Sequence, residues 1–267
     1  MSSKPKLGQN FLNDSQAIER IANAFGDLSG RTLVEIGPGR GAITHALAAR
    51  AAHVLAVEYD PVLAAGLRQE FSPDKLTVIA QDVLNFDFAA AAATHAPGKK
   101  LPVAGNLPYY ITSPILLKLA ESHAALDVAV LMVQREVAER VTAQPGSRDY
   151  GLLSVTVQMF GPAHQLFTLP PSAFTPPPDV HSAVFRWRFA PRFEELGVEE
   201  VPFLRFVRQA FAQKRKTLSN NLRAAGFTPE VIVSSLEAAG VAPQARAENL
   251  SIEEFAGLWR ILQLATA

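Results

Sequence analysis

Two short segments carry residue types whose spacing suits a particular chemistry. Asn106-Leu107-Pro108-Tyr109 places a side-chain amide, main-chain carbonyls and an aromatic ring side by side. An aryl amine such as N6 of adenine is a poor nucleophile, because its lone pair is delocalised into the ring. Two acceptors, the Asn106 side-chain carbonyl and the backbone carbonyl of Leu107 or Pro108, could hold its two hydrogens. The lone pair is then aimed at an electrophilic methyl, and the positive charge developing on nitrogen is stabilised. Proline has no amide hydrogen, which suits a segment needed for its carbonyls. Tyr109 offers a flat face to a purine, worth roughly 1–3 kcal/mol of stacking. No strong base is required, since the alkylated amine is acidic enough to lose its proton to water.

The second segment is Glu35-Ile36-Gly37-Pro38-Gly39-Arg40-Gly41. Glycines between a strand and a helix let the backbone turn sharply and approach a ligand closely. Dinucleotide enzymes share such turns, but here the spacing is G-x-G-x-G rather than G-x-G-x-x-G, and Glu35 would repel a pyrophosphate. S-adenosylmethionine has no phosphate, and its ammonium group tolerates a nearby carboxylate. Glu58, at the end of the next strand, could accept both ribose hydroxyls, and Asp82, after the third, could accept from the cofactor's adenine amino group. Strand-end acids are common one at a time; three in register with the glycine turn point to one site.

The elements that must position these segments follow from periodicity. Asn13–Phe25 reads as a helix capped by Asn13 or Asp14 and closed by Gly26. Strand-length apolar runs then alternate with helical patterns: Thr32–Ile36 with Ala42–Ala51, Val54–Val57 with a helix opened by Asp60-Pro61 and ending near Phe71, and Leu76–Ala80 with an alanine-rich stretch. Leu101–Ala104 leads to Ser113-Pro114, read as a cap and first-turn proline, and Val128–Val133 to a helix carrying Glu136 and Arg140. Such alternation argues for an α/β fold, a parallel sheet covered by helices on both faces. Tyr150–Phe160 fits either period. Gln165–Leu169 and Ala183–Phe189 read as an antiparallel pair at the sheet edge, joined by the proline-rich loop Pro170–Pro178. Phe174 on that loop is a candidate for the second face of a base sandwich, or else a core aromatic that anchors the loop.

Composition shifts after Phe189. The expected division is a first domain over 1–190, a linker over the acid-rich 191–200, and an all-helical domain over 201–267. In the last, Phe203, Phe206, Val207, Ala210 and Phe211 form one stripe, followed by helices near Thr217–Ala225, Pro229–Ala239 and Ile252–Leu264. Ser251 and Glu254 have capping-box spacing. Between Pro202 and Gly226 lie Arg205, Arg208, Lys214, Arg215, Lys216 and Arg223 and no acid. In a chain with 25 basic and 25 acidic residues, that local run is the candidate phosphate-contacting face.

Composition also excludes chemistries. With no cysteine there is no disulfide, thiolate metal site or cysteine nucleophile, and the 6 histidines lack paired metal-ligand spacing, so no metal is expected. No apolar run reaches the ~20 residues of a membrane helix, and Met1–Lys6 has no apolar segment behind it, so a cytoplasmic enzyme without a membrane partner is expected.

Taken together, Gly8-Gln9-Asn10-Phe11-Leu12, Glu35–Gly41, Asn106–Tyr109, Phe174-Thr175-Pro176-Pro177-Pro178-Asp179-Val180, Lys214-Arg215-Lys216-Thr217-Leu218 and Leu250–Phe255 resemble the small-subunit (16S) ribosomal RNA adenine N6,N6-dimethyltransferases of the KsgA type. The resemblance spans essentially the whole chain. It implies a Rossmann-like class I methyltransferase with a seven-stranded, mostly parallel sheet and a small all-α C-terminal domain, and it makes Tyr150–Phe160 a helix. It further implies transfer of two methyls to each of two adjacent adenines near the 3′ end of small-subunit rRNA, within a pre-30S particle and with S-adenosylhomocysteine as product. By position, the implied cofactor contacts are Asn10, Leu12, Gly37, Glu58, Asp82 and Asn106; Glu35 and Gly39 join them from the reading of the glycine turn. No obligate protein partner is evident. The neutral net charge departs from the basic character common in that family. The alternatives are a large-subunit rRNA adenine methyltransferase of the antibiotic-resistance type, a non-catalytic ribosome-assembly factor, and a nicotinamide dehydrogenase, the last disfavoured by Glu35 and the glycine spacing.

Overall fold

The computed structural model describes residues 10–266; Met1–Lys6 and the Gly8-Gln9 portion of the first motif lie outside the described residues. A seven-stranded sheet has the order β4-β3-β2-β5-β6-β9-β7. Its strands are β2 (Thr32–Ile36), β3 (His53–Glu58), β4 (Leu76–Ala80), β5 (Leu101–Asn106), β6 (Leu126–Gln134), β7 (Ala163–Leu169) and β9 (Ser182–Arg188). The pairings from β4 through β6 are parallel, whereas β9 is antiparallel to both β6 and β7. Strands β2, β3 and β5 are buried almost without interruption, as expected where helices cover both faces. The apolar runs Leu33–Val34 and Val54–Val57 therefore supply the core directly, and each fully buried Val or Leu contributes about 1.5–3 kcal/mol. Edge strand β7 exposes His164, Gln165 and Thr168 together with Leu166, a largely polar margin.

The chain runs outward from β2 to β3 and β4, then crosses back to lay β5 on the other side of β2. This reversal opens a crevice beyond the carboxyl ends of β2 and β5, where open α/β sheets bind ligands. A separate two-stranded ribbon pairs β1 (Phe11–Leu12) with β8 (Phe174–Thr175), Leu12 lying opposite Phe174.

The first unit also holds α1 (Ser15–Asn23), α2 (Ala42–Ala48), α3 (Pro61–Glu70), α4 (Phe88–His95) and α5 (Thr112–Glu121). Of the two candidate caps for α1 it is Asp14 that accepts from Ala17 N, at 3.0 Å. Asp60 caps α3 from Val62 N at 2.8 Å, with Pro61 in the first turn. Ser113 is not a cap: a 3₁₀ turn over Tyr109–Ile111 runs straight into α5, so Ser113 already lies inside the helix. The Thr112 hydroxyl donates to Pro108 O at 3.0 Å and fastens that junction.

The second unit combines Glu139–Gly161 with Pro191–Ala267, and the division falls within α6 (Arg135–Thr142). This differs from the boundary expected from sequence. Residues 139–161 join the helical part because α7 (Leu152–Met159) packs on α9 (Glu200–Ala210), a long-range contact with no local signature. Nor is 191–200 an open linker: it forms α8 (Phe193–Leu196), buries Phe193 and Val198, and is held by Arg192, which pairs with Glu195 at 2.9 Å and Glu253 at 2.8 Å. The remaining helices are α10 (Leu218–Ala224), α11 (Pro229–Ala238) and α12 (Ile252–Thr266). Phe206 on α9 stacks on Trp259 with ring centroids 5.0 Å apart, so the phenylalanine stripe forms this unit's core. The Ser251–Glu254 box is formed, with bonds of 2.7 and 3.1 Å. Among the described residues no helix is long and apolar enough to cross a membrane.

Candidate active site

The crevice at the strand reversal is a cavity of about 310 Å³. It is lined by Asn10, Leu12, Glu35, Gly37, Gly39, Glu58, Asp82 and Asn106, and by Leu107, Pro108 and Tyr109. Both sequence segments, separated by some 65 residues of chain, thus face one space, because β2 and β5 are neighbours in the sheet. Gly39 has φ +60°, and a Cβ there would lie 3.1 Å from the Phe11 ring, so both its backbone and its neighbour require glycine. The Arg40 guanidinium lies over the same ring, 4.4 Å from the Phe11 centroid.

The three acids have distinct environments. Glu35 is 2% exposed, and its Oε2 has no hydrogen-bond partner. Burial pushes its carboxyl up to about 7; the Thr44 hydroxyl tempers that shift without completing a well-formed bond, and the Glu58 charge adds to it. Glu58 accepts from Gly39 N at 3.0 Å through Oε2 and from Asp60 N at 2.8 Å through Oε1. Burial raises its pKa, and those two bonds hold the rise back. Each of its oxygens retains a second lone pair. Asp82 accepts from Leu84 N at 2.9 Å through Oδ1, which closes the turn Val83–Asn85 and leaves Oδ2 for another donor.

At the end of β5, Asn106 Nδ2 donates to Asn10 O at 3.1 Å. A carbonyl can only accept, so the amide nitrogen must face Asn10, and Oδ1 is turned away from it. The two backbone carbonyls left open by the sequence are separated by their bonds. Pro108 O already accepts from Ile111 N at 3.2 Å and from the Thr112 hydroxyl at 3.0 Å. Leu107 donates its N–H to Met132 O at 2.9 Å, and its carbonyl accepts nothing among the described residues. Leu107 O is therefore the available main-chain acceptor. Tyr109 is half-buried, with its hydroxyl 2.9 Å from Ser182 Oγ, and burial raises its pKa.

Phe174 does not join this group. It is 3% exposed and lies in the apolar cluster with Leu12, Leu169 and Ala173, so its ring has no open face for a base. The β1–β8 pairing pulls it inward, and the loop-anchoring reading is the one the structure adopts. Sequence reasoning also missed Ser182, Tyr59 and Tyr110; the two tyrosines line the cavity and remain 63% and 62% exposed.

The six candidate RNA-contacting cations all belong to the second unit, and all are exposed. Lys214, Arg215 and Lys216 occupy the turn between α9 and α10. Buried Asn221 holds that turn, donating from Nδ2 to Ala210 O at 2.7 Å and Gln213 O at 3.3 Å. No group of three or more metal-ligating side chains occurs among the described residues.

Residues 1–264 match the sequence model of the family described as ribosomal RNA adenine dimethylase. The chain belongs to this family. A relative from Acidobacterium capsulatum, named ribosomal RNA small subunit methyltransferase A, is 56% identical over 97% of this chain and 91% of its own length. Among solved structures, the 23S rRNA methyltransferase ErmE aligns with a TM-score of 0.71 at 27% identity, covering 95% of this chain and 100% of that one. A dimethyladenosine transferase from Plasmodium falciparum shares the fold, with a TM-score of 0.77 at 24% identity over 93% and 95% of the two chains. For a ribosomal RNA adenine dimethylase, the seven-stranded, mostly parallel sheet with an added helical region is the expected architecture.

Proposed function

We propose that the chain transfers methyl groups from S-adenosylmethionine to N6 of two adjacent adenines near the 3′ end of small-subunit (16S) rRNA, within a pre-30S particle, giving N6,N6-dimethyladenines. The observation that carries this reading is the Asn106 amide, locked by Asn10 so that Oδ1 stands free beside the unengaged Leu107 carbonyl. Two acceptors on successive residues match in number the two hydrogens of an exocyclic amine, and Tyr109, tethered to Ser182, supplies a ring from the same segment.

The residues around the cavity fit the cofactor. Glu35 presents an orphaned carboxylate oxygen suited to an ammonium group, and the glycine turn runs so close to Phe11 that a Cβ at Gly39 would press on its ring. Glu58 would hold the ribose hydroxyls with its spare lone pairs, and Asp82 the adenine amino group with Oδ2. Asn10, Leu12 and Gly37 would wall the same space. When bound, the cofactor supplies a sulfonium methyl as electrophile and leaves as S-adenosylhomocysteine.

The chain's own part in the chemistry is orientation and charge stabilisation. Asn106 Oδ1 and Leu107 O would grip N6, keep its lone pair out of the ring and stabilise the ammonium that forms. The proton then leaves to water, and the remaining hydrogen can still be gripped for a second transfer. A base stacked in folded RNA must be extruded to reach this crevice, a cost that stacking on Tyr109 offsets. Arg205, Arg208, Lys214, Arg215, Lys216 and Arg223 would contact RNA phosphates.

Labelled methyl transfer to purified small subunits lacking the modification, followed by mapping, tests this reading. The expected result is dimethylation at two adjacent adenines near the 3′ end. Label found only in large-subunit RNA, or no transfer at all, would overturn it.

A further inference from the structure

The sequence places two tyrosines in succession, Tyr109 and Tyr110, and the fold gives them opposite circumstances. Tyr109 is half-buried and tied to Ser182. Tyr110 lies in the same 3₁₀ turn and lines the same cavity, yet it is 62% exposed. An aromatic ring of that size left at the mouth of a concave site is a binding face in waiting. Tyr59, which follows Glu58 on the other flank of the crevice, is 63% exposed and lines it too.

Where Tyr110 stands is set by its surroundings. Helix α5, which begins two residues later, packs against the turn Val83–Asn85 that Asp82 caps. The loop after β5 is thereby carried across the crevice mouth towards the ends of β3 and β4. Consistent with that placement, burial raises the Tyr110 pKa, and the charges that raise it further belong to Asp82, Tyr59 and Glu58. Tyr110 is thus among the groups at the ends of β3 and β4, whereas Tyr109 is held against β9.

We infer that Tyr110, opposed by Tyr59, packs on the adenosine end of the cofactor, so that the two adjacent tyrosines divide the purines between them: Tyr110 takes the cofactor's, Tyr109 the target's. The inference rests on the reading of this cavity as the S-adenosylmethionine site and adds a residue to it. Stacking needs the ring and not the hydroxyl, so phenylalanine replaces Tyr110 in this role and alanine does not.

The test is S-adenosylhomocysteine binding to the full-length protein by calorimetry, with kinetics on small subunits. Tyr110 is exposed, so Tyr110→Ala leaves the core intact. It is expected to weaken S-adenosylhomocysteine by about tenfold or more, the low to middle range for loss of one stacking partner. The loss should fall on KM for S-adenosylmethionine rather than on kcat, and Tyr110→Phe should restore the affinity. Tyr109→Ala should show the converse, a fall in transfer with the cofactor still bound. If Tyr110→Ala binds S-adenosylhomocysteine like the parent, the inference fails, and a raised KM for the subunits in that variant would assign the ring to RNA instead. If the parent protein itself does not bind S-adenosylhomocysteine, the reading of the cavity falls and takes this inference with it.

Discussion

Asn106 Nδ2 donates to the backbone carbonyl of Asn10 at 3.1 Å, and this one bond decides which way the Asn106 amide faces. An alanine at 106 removes the acceptor for the target amine while leaving the glycine turn and its acids in place. Turnover of Asn106→Ala should fall by on the order of 100-fold or more, the usual cost of deleting a group aimed at developing charge. Affinity for S-adenosylhomocysteine should stay within a few-fold of the parent. Asn106→Asp should be no rescue, because a carboxylate cannot donate to Asn10 O and would turn away from it. Single-turnover transfer alongside calorimetry checks both; undiminished turnover in the alanine variant would remove Asn106 from the chemistry.

Glu58 couples the cofactor site to the backbone. Its two oxygens receive Gly39 N and Asp60 N, so the side chain both shapes the glycine turn and presents lone pairs to the cavity. Glu58→Ala should loosen S-adenosylhomocysteine by about tenfold or more, since charged acceptors contribute roughly 1.5–3 kcal/mol per hydrogen bond. Glu58→Gln should lose less, because one oxygen remains to accept while the other position becomes a donor. Equal affinity in all three proteins would mean that the ribose is held elsewhere.

The parts of this molecule that could be read from its sequence are those whose cause is local. The runs Thr32–Ile36 and Leu76–Ala80 are strands with those bounds because each is a short apolar stretch between turn residues. Asp60-Pro61 caps its helix as its chemistry dictates. The glycine turn and Asn106–Tyr109 were legible because each packs its functional groups into consecutive residues. What the sequence left open or hid has, for the most part, non-local causes. Phe174 is buried through pairing with Leu12, some 160 residues away, by a two-residue strand that leaves no periodic trace. Ser113-Pro114 looks like a cap only if the preceding 3₁₀ turn is not foreseen. The acids of 191–200 suggested an open linker, but burial of Phe193 and Val198 outweighs them. Nothing in the spacing of Tyr109 and Tyr110 separates their fates; Ser182, brought alongside by β9, does.

Glu35 should make the ligand-free protein less stable as pH rises. Its pKa is lifted to about 7 by burial, above the ordinary carboxyl value of 4.5. Between those values the unfolded chain has released the proton that the folded chain retains, so stability falls as pH rises through this window and levels off above about 7. Glu35→Gln carries no charge to bury and should escape this loss, worth on the order of 3 kcal/mol at full effect. Urea unfolding at pH 5 and pH 8 should therefore show the variant gaining on the parent at the higher pH. The same substitution should weaken S-adenosylmethionine, whose ammonium would lose its carboxylate. An identical pH dependence in both proteins would show that Glu35 titrates normally.

Lys214, Arg215 and Lys216 offer the cleanest separation of RNA binding from chemistry. All three are exposed, so reversing them to glutamate disturbs no packing, and buried Asn221 continues to hold the turn from which they project. If they neutralise phosphates, binding of small-subunit RNA should depend steeply on salt, each contact contributing roughly 0.7–0.9 to the slope of log affinity against log salt concentration. The triple reversal should weaken RNA by about tenfold or more at low salt, flatten that slope, and leave S-adenosylhomocysteine affinity where it was. Asn221→Ala should weaken RNA less and without flattening the slope to the same degree, because it loosens the turn but keeps its charges. A triple variant with parental affinity and slope would place the phosphate-binding face on other residues of the chain.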